Sequence, residues 1–472
     1  MNDSSVLIRG GDLVSSSGTS RTDILIQDGI ITEIGPDLLS DGARVVDATG
    51  CLVMPGVIDA HTHPVYADDL NRTALAGASG GVTTLMAFVG AFPSWGFPKQ
   101  PVAEVVKDFI SRWDGSSACD FGLHVAFDSV DDAASEVPRL AAMGISSYKF
   151  FLAYRKRGMM VDDRALLAGM AAIAGSGGVV AVHAENGDGI DYLESPLWDK
   201  PNLPNQTFLD CHSHLLEAEA VLRVIALAEA AQVPLYIPHV AAGDAIAVVQ
   251  LARKTATVPV WVETCTHYLV LTNDEVIRRG ALSKIAPPLR HTSDNDVLWK
   301  AVSDGTVQVI ATDHAGRTLD MKAQGLNILQ APYGAEGIEH LLPVLYGLGV
   351  RGGHISVERL VALISENPAD IFGLSPRKGR LVPGADGDVV VLDPEGATRC
   401  SVDSHVGASD YCLYEGLELP GAIRYTIRGG QLTFDAQDRG VIGAGGRYIA
   451  RKTFQDRDIP VIDELRAELA NP

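Results

Sequence analysis

The chain has 472 residues, too many for one small core, and 46 % of them are apolar. A formal net charge of −21 argues against nucleic-acid binding, which needs a basic face to displace phosphate counterions. No long segment has the composition of a disordered chain.

Met1-Asn2-Asp3-Ser4-Ser5 lacks the basic start of a signal peptide, and alternating residues follow it. The six cysteines (51, 119, 211, 265, 400, 412) form no CxxC pair. Both features predict a cytoplasmic protein. Val6–Arg9, Asp23–Ile26 and Ile30–Ile34 read as short strands, with Asp28-Gly29 as a hairpin turn. The texture then changes. Eight apolar strand candidates run from Leu52–Ala60, Val82–Phe88, Phe121–Phe127 and Ile145–Leu152 to Val179–Val182, Pro234–Ile237, Val258–Val262 and Val307–Ala311. Helical stretches such as Asp163–Ala174, Leu215–Ala230 and Ala242–Lys254 lie between them. The most apolar stretch, Leu166–Val182, is broken by Gly175-Ser176-Gly177-Gly178 and is not a membrane span. Strand-like segments return at Asp388–Leu392 and Tyr425–Gly430.

Repeated βα units imply parallel strands with right-handed crossovers, and eight of them fit a TIM-type (β/α)8 barrel. We therefore expect a β-sandwich built from residues 1–52 and 376–447, a barrel over 53–375, and a charged tail over 448–472. The tail reads either as disordered or as an arm gripping a neighbouring subunit.

Barrel enzymes carry their chemistry at the C-terminal ends of the strands. His61 and His63 follow strand one, and alternation puts both imidazoles on one face. Lys149 lies near the end of strand four, His183 ends strand five, His239 ends strand six and Asp313 follows strand eight. Taken singly, each has a bland explanation: a hydrogen-bonded structural histidine, a lysine reaching to water, an aspartate capping a helix. Together at one barrel mouth they point to a metal site. Lys149 cannot bind a cation as an ammonium. Burial among aromatic residues lowers its pKa, and a neutral amine captures carbon dioxide as a carbamate able to bridge two ions. Four imidazoles, that carbamate and Asp313 suit two zinc-like ions, with a shared water as nucleophile and Asp313 as proton shuttle. His212 and His214 form a second His-x-His at a helix start, read as a cap or surface feature. His124 and Cys265 read as core residues, and His314 as support for Asp313.

At these motifs the chain resembles the dihydropyrimidinase/hydantoinase family of amidohydrolases. The resemblance covers roughly residues 6–450. It is carried by Met54–His63, Gly80–Thr84, Tyr148–Tyr154, Val182–Asp188, Glu263–Leu269, Pro287–Arg290, Asp313-His314, Pro376–Gly379 and Gly387–Val390. It implies a barrel with a flanking β-sandwich, a homotetramer, and a carboxylated Lys149 between two metals. His61, His63 and Asp313 would hold the first ion, His183 and His239 the second. It implies a small cyclic amide as substrate, with Tyr154 donating to its carbonyl. Ala286 and Tyr333 stand where the family often has serine and asparagine, at positions that hold the ring amide largely through backbone atoms. The loop after His63 is several residues shorter than usual, and Ser213–Leu216 lacks a customary arginine. The expected reaction is hydrolytic ring opening of a hydantoin, dihydropyrimidine or related imide. The alternatives are the same chemistry on allantoin, a lactam or another amide, and a non-catalytic scaffold, which six filled ligand positions disfavour.

Overall fold

The structure is a computed structural model that describes residues 5–39, 42–128, 130–438, 440–441 and 444–454. Eight strands form one sheet in sequence order: Val57–Thr62, Val82–Gly90, Asp120–Ala126, Ser147–Phe151, Val179–His183, Leu235–Ile237, Val260–Cys265 and Val309–Ala311. Every neighbouring pair is parallel. A parallel bridge between Thr62 and His314 draws the last strand against the first. His63 N–H donates to the His314 carbonyl at 2.7 Å. All eight strands are buried along their whole length. Continuous apolar runs do this when helices cover a barrel that is filled inside.

The helices read from periodicity are present: Asp163–Ala174, His214–Ala231 and Gly243–Ala252. Asp162 caps the first, its carboxylate accepting from Ala165 N–H at 2.7 Å. The sequence reading placed one strand over Leu52–Ala60. The structure has two, broken at Gly56, where a Cβ would lie 2.2 Å from Thr83 Oγ1. Leu52–Pro55 pairs outside the barrel, and Val57 begins it.

Both chain ends supply a separate nine-stranded sheet. Ser5–Ser15 and Gly18–Gln27 pair at its N-terminal side, and Val389–Arg399 and Glu418–Arg428 at its C-terminal side. Leu52–Pro55 joins the two. Val6, Ile8, Ile24 and Ile26 share one core with Val389, Val391 and Ile427. At the expected hairpin, Asp28 and Gly29 both have positive φ, the geometry a two-residue type I′ turn needs. The tail reading falls largely on residues outside those described. Before them, the chain returns to the barrel: Phe121 N–H donates to Arg447 O and Ile449 N–H to Phe121 O. No described helix is long and apolar enough to cross a membrane.

One buried charge cluster clamps the sheet to the barrel. Lys378 Nζ lies 2.7 Å from both Asp386 and Asp388 and also bonds Asp120 at the start of barrel strand three. Arg428 adds a longer contact to Asp120, 3.4 Å. Burial disfavours the lysine charge, but the three carboxylates outweigh it and hold its pKa above the usual value. Removing the cation strands buried anions, which typically costs about 3–5 kcal/mol. Lys378→Met therefore lowers the thermal unfolding midpoint sharply in calorimetry. Arg377→Ala, whose side chain is 52 % exposed, leaves it nearly unchanged.

Candidate active site

The strand ends converge on one mouth. His61 is the last residue but one of strand one, and its Nε2 lies 3.2 Å from His63 Nε2. Both nitrogens face Asp313 Oδ1, at 3.0 and 3.1 Å. His61 Nδ1 meets Glu263 Oε1 at 2.8 Å. Donation there leaves the lone pair on Nε2, aimed at the meeting point. Glu263 is shared widely. Its Oε1 also accepts from His239 N–H at 2.9 Å, and its Oε2 from the Tyr236 hydroxyl at 2.6 Å. A second pair stands beside the first: His183 Nδ1 and His239 Nε2 are 3.0 Å apart. His183 Nε2 is tied to Glu185 at 2.8 Å. The His61 and His239 ring centroids are 5.3 Å apart, so the two pairs form one cluster.

Lys149 sits in the middle of strand four, fully buried. Its Nζ has no hydrogen-bond partner and lies 5.1 and 5.2 Å from the Phe88 and Phe151 rings. Burial lowers its pKa to about 8, with Asp313 and Glu263 pulling the other way. Burial also works against charge on His61 and Asp313, yet each sustains the other. His61 rises to about 9 through Glu263 and Asp313, and Asp313 is held well below the carboxylate range by His61 and His63. The carboxylates of Glu263 and Asp313 thus favour positive charge where three donor atoms converge, which is where a cation fits.

Backbone strain marks the same place. Tyr154, His239 and Asp313 have φ of 69°, 44° and 48°, three of the seven described non-glycine residues with positive φ. Such conformations cost energy and persist where surrounding structure enforces them. Each turns a side chain back over the mouth just past a strand end. Tyr154 lies 4.7 Å from His183, ring to ring, and burial keeps its phenol protonated well beyond the ordinary range. The cavity over the cluster is walled by Tyr66, Trp95, Phe151, Met159, Ala286 and Tyr333. Ala286 and Tyr333, singled out in the sequence, therefore both face it.

Several residues here escaped the sequence reading. Glu263 and Glu185 orient the imidazoles, and only their place inside apolar strand-end motifs signalled them. His212, read as a cap or surface residue, is buried instead. Its Nδ1 bonds Glu185 at 2.9 Å, extending the chain behind His183, because the turn before Ser213 folds inward. His214 is exposed beside Asp244. His124 is a core residue, bonded to Ser147 and to the Ala60 carbonyl. His314 binds Asp68 at 3.2 Å.

The profile of the amidohydrolase family matches residues 208–433. The D-hydantoinase of Ralstonia pickettii is 35 % identical, covering 95 % of this chain and 99 % of its own. A D-phenylhydantoinase of Escherichia coli O127:H6 is 34 % identical over 95 % and 98 %. The crystal structure of dihydropyrimidinase from Brevibacillus agri NCHU1002 superposes with a TM-score of 0.89 at 31 % identity, covering 95 % of this chain and 99 % of that one. The chain belongs to the hydantoinase/dihydropyrimidinase family of amidohydrolases. Amidohydrolases are metal-dependent, and His61, His63 and Asp313 form a group able to hold an ion. In this amidohydrolase Glu263 orients two of the histidines at once. Replacing such an orienting carboxylate typically weakens metal affinity about 10–100-fold. Glu263→Gln is expected to do so in a competitive chelator titration, while the far-ultraviolet circular dichroism stays unchanged.

Proposed function

We propose that the chain opens a cyclic amide ring by hydrolysing its C–N bond, on a hydantoin, dihydropyrimidine or related imide. The observation that carries this reading is the partnerless Lys149 amine, buried among four imidazoles and Asp313. An amine whose pKa burial lowers to about 8 has a far larger neutral fraction near neutral pH than an ordinary lysine, and that neutral form is suited to react with carbon dioxide. The resulting carbamate would complete two donor sets, His61, His63 and Asp313 on one side and His183 and His239 on the other. Two divalent ions, of which zinc fits the imidazole and carboxylate donors, would supply Lewis acidity and an activated water near neutral pH.

The chain's own residues do the rest. The aromatic cavity wall excludes water and lays the substrate ring over the histidines. Tyr154 donates its phenolic proton as a hydrogen bond to the carbonyl oxygen while charge builds there. Asp313 Oδ1 is committed to the two imidazoles, which leaves Oδ2 to move a proton. The water oxygen bonds to the carbonyl carbon, Asp313 takes the water proton, and that proton passes to the ring nitrogen as the C–N bond breaks. The product is one open-chain molecule that carries a carboxylate at one end and the freed nitrogen, as an amide or ureide, at the other. A homotetramer, which rests on the family resemblance, and a cytoplasmic location, which rests on the N-terminal sequence and cysteine usage, belong to the same reading.

A second reading keeps the chemistry and changes the ring. The Tyr333 carbonyl accepts from Arg317 Nε at 2.5 Å, and its ring lies 3.9 Å from Lys284 Nζ. Backbone recognition of the ring amide at this position is therefore already partly engaged. That motivates a different ring substituent or ring, such as allantoin or a lactam, although the Lys149–Tyr154 segment resembles the hydantoinase pattern more than the allantoinase one. Ring opening of hydantoins, dihydrouracil, allantoin and a lactam, followed by ultraviolet absorbance, separates the two. Activity on the first two supports the leading reading, and activity on the last two alone supports the second. On the best substrate, Tyr154→Phe is expected to lower kcat about 10²–10³-fold. Asp313→Asn is expected to lower it by at least about 10²-fold. Full activity of metal-loaded Asp313→Asn would refute the mechanism.

A further inference from the structure

A second group of metal-ligating side chains lies outside the mouth just described. Glu336 and His340 stand one turn apart, after barrel strand eight and across the short turn Ile338–His340. His405 and Cys412 come from the segment 400–417, which links sheet strands Val389–Arg399 and Glu418–Arg428. One donor atom from each of the four lies within 4.8 Å of all the others. Glu336, His340 and Cys412 are buried, and the His405 side chain is 4 % exposed.

The atoms that face one another are held only loosely. His340 Nδ1 and His405 Nε2 are buried without a hydrogen bond of good geometry, and each looks toward the Glu336 carboxylate. They lie 3.5 and 3.9 Å from Glu336 Oε2, long for hydrogen bonds. Such spacings are close to the edges of a tetrahedron, about 3.3–3.8 Å when ligands sit about 2.0–2.3 Å from an ion.

The outward sides of the same groups are engaged. His405 Nδ1 faces the Ser409 carbonyl at 3.4 Å, which leaves the Nε2 lone pair toward the cluster. Glu336 Oε1 accepts from Leu413 N–H, which leaves Oε2. Outer contacts of this kind orient metal ligands.

Charge distinguishes this cluster from the other buried acidic group. There, Lys378 occupies the space between Asp120, Asp386 and Asp388. Here, no lysine or arginine pairs with Glu336 among the described residues, and its only charge partners are the His340 and His405 rings that would share the ion with it. A carboxylate and a thiolate would balance a divalent ion, and an N2SO donor set suits the borderline-soft zinc class.

We propose that Glu336, His340, His405 and Cys412 bind a structural zinc-class ion. The ion would staple segment 400–417 onto the barrel. Four protein ligands close the coordination shell, so the site would hold structure and leave no position for substrate. Binding requires the Cys412 thiol to release its proton to solvent. No ligand is shared with the mouth.

The test uses the full chain loaded with cobalt(II). Among the ligands proposed for the mouth there is no sulfur, so a thiolate-to-cobalt charge-transfer band in the near ultraviolet reports the new site whether or not the mouth binds metal. We expect that band, its loss in Cys412→Ser together with one metal equivalent per chain, and its weakening in His405→Ala. Cys265→Ser should keep it. Absence of the band in wild type, or its persistence in Cys412→Ser, would overturn the proposal. So would equal metal content in wild type and Cys412→Ser.

Discussion

A lysine amine buried without a partner is costly to a protein, and the rest of this molecule is arranged around that constraint. Lys149 comes from the middle of a barrel strand, so the closed sheet pins its backbone. Phe88 and Phe151 flank its amine without offering a hydrogen-bond acceptor. An ammonium there would be poorly solvated, which is why burial pulls its pKa down despite Asp313 nearby. A neutral amine is a nucleophile, and a carbamate would convert the liability into the anion that two ions need between them.

Positioning depends on a hierarchy of carboxylates behind the imidazoles. Glu263 joins strand seven to His61 and His239, and Glu185 joins His183 to His212. Asp59 binds Thr312, tying strand one to the end of strand eight. The sheet built from the chain ends enters this hierarchy from the far side. Its connecting segment reaches Asp68 through Ala408 N–H, Arg317 through Ser409 and Glu336 through Leu413. An ion at Glu336, His340, His405 and Cys412 would fix that segment, and with it the loop that carries Tyr333.

Much of this was legible in the sequence because a parallel barrel writes its geometry plainly. Apolar runs mark strands, and polar residues at their ends mark the mouth, so His61, His183 and Asp313 could be placed before any coordinates. Other features were not legible for physical reasons. Leu52–Ala60 reads as one apolar run, and only the close approach of Gly56 to Thr83 divides it between two sheets. A glutamate inside an apolar strand carries no periodic signal, so the roles of Glu263 and Glu185 appear only when three-dimensional partners do. His212 sits beside an N-cap serine, and local helix chemistry hid its inward turn. The Glu336 cluster draws on two segments separated by several elements, and nothing local connects them.

The central claim is that Lys149 holds the metal centre together as a carbamate. Metal content per chain, measured by mass spectrometry on protein expressed with zinc and bicarbonate, tests it most directly when Lys149→Ala is measured beside wild type. The account predicts that the variant loses metal from the mouth while the cobalt–thiolate signal tied to Cys412 stays. An unchanged metal content in Lys149→Ala would contradict it.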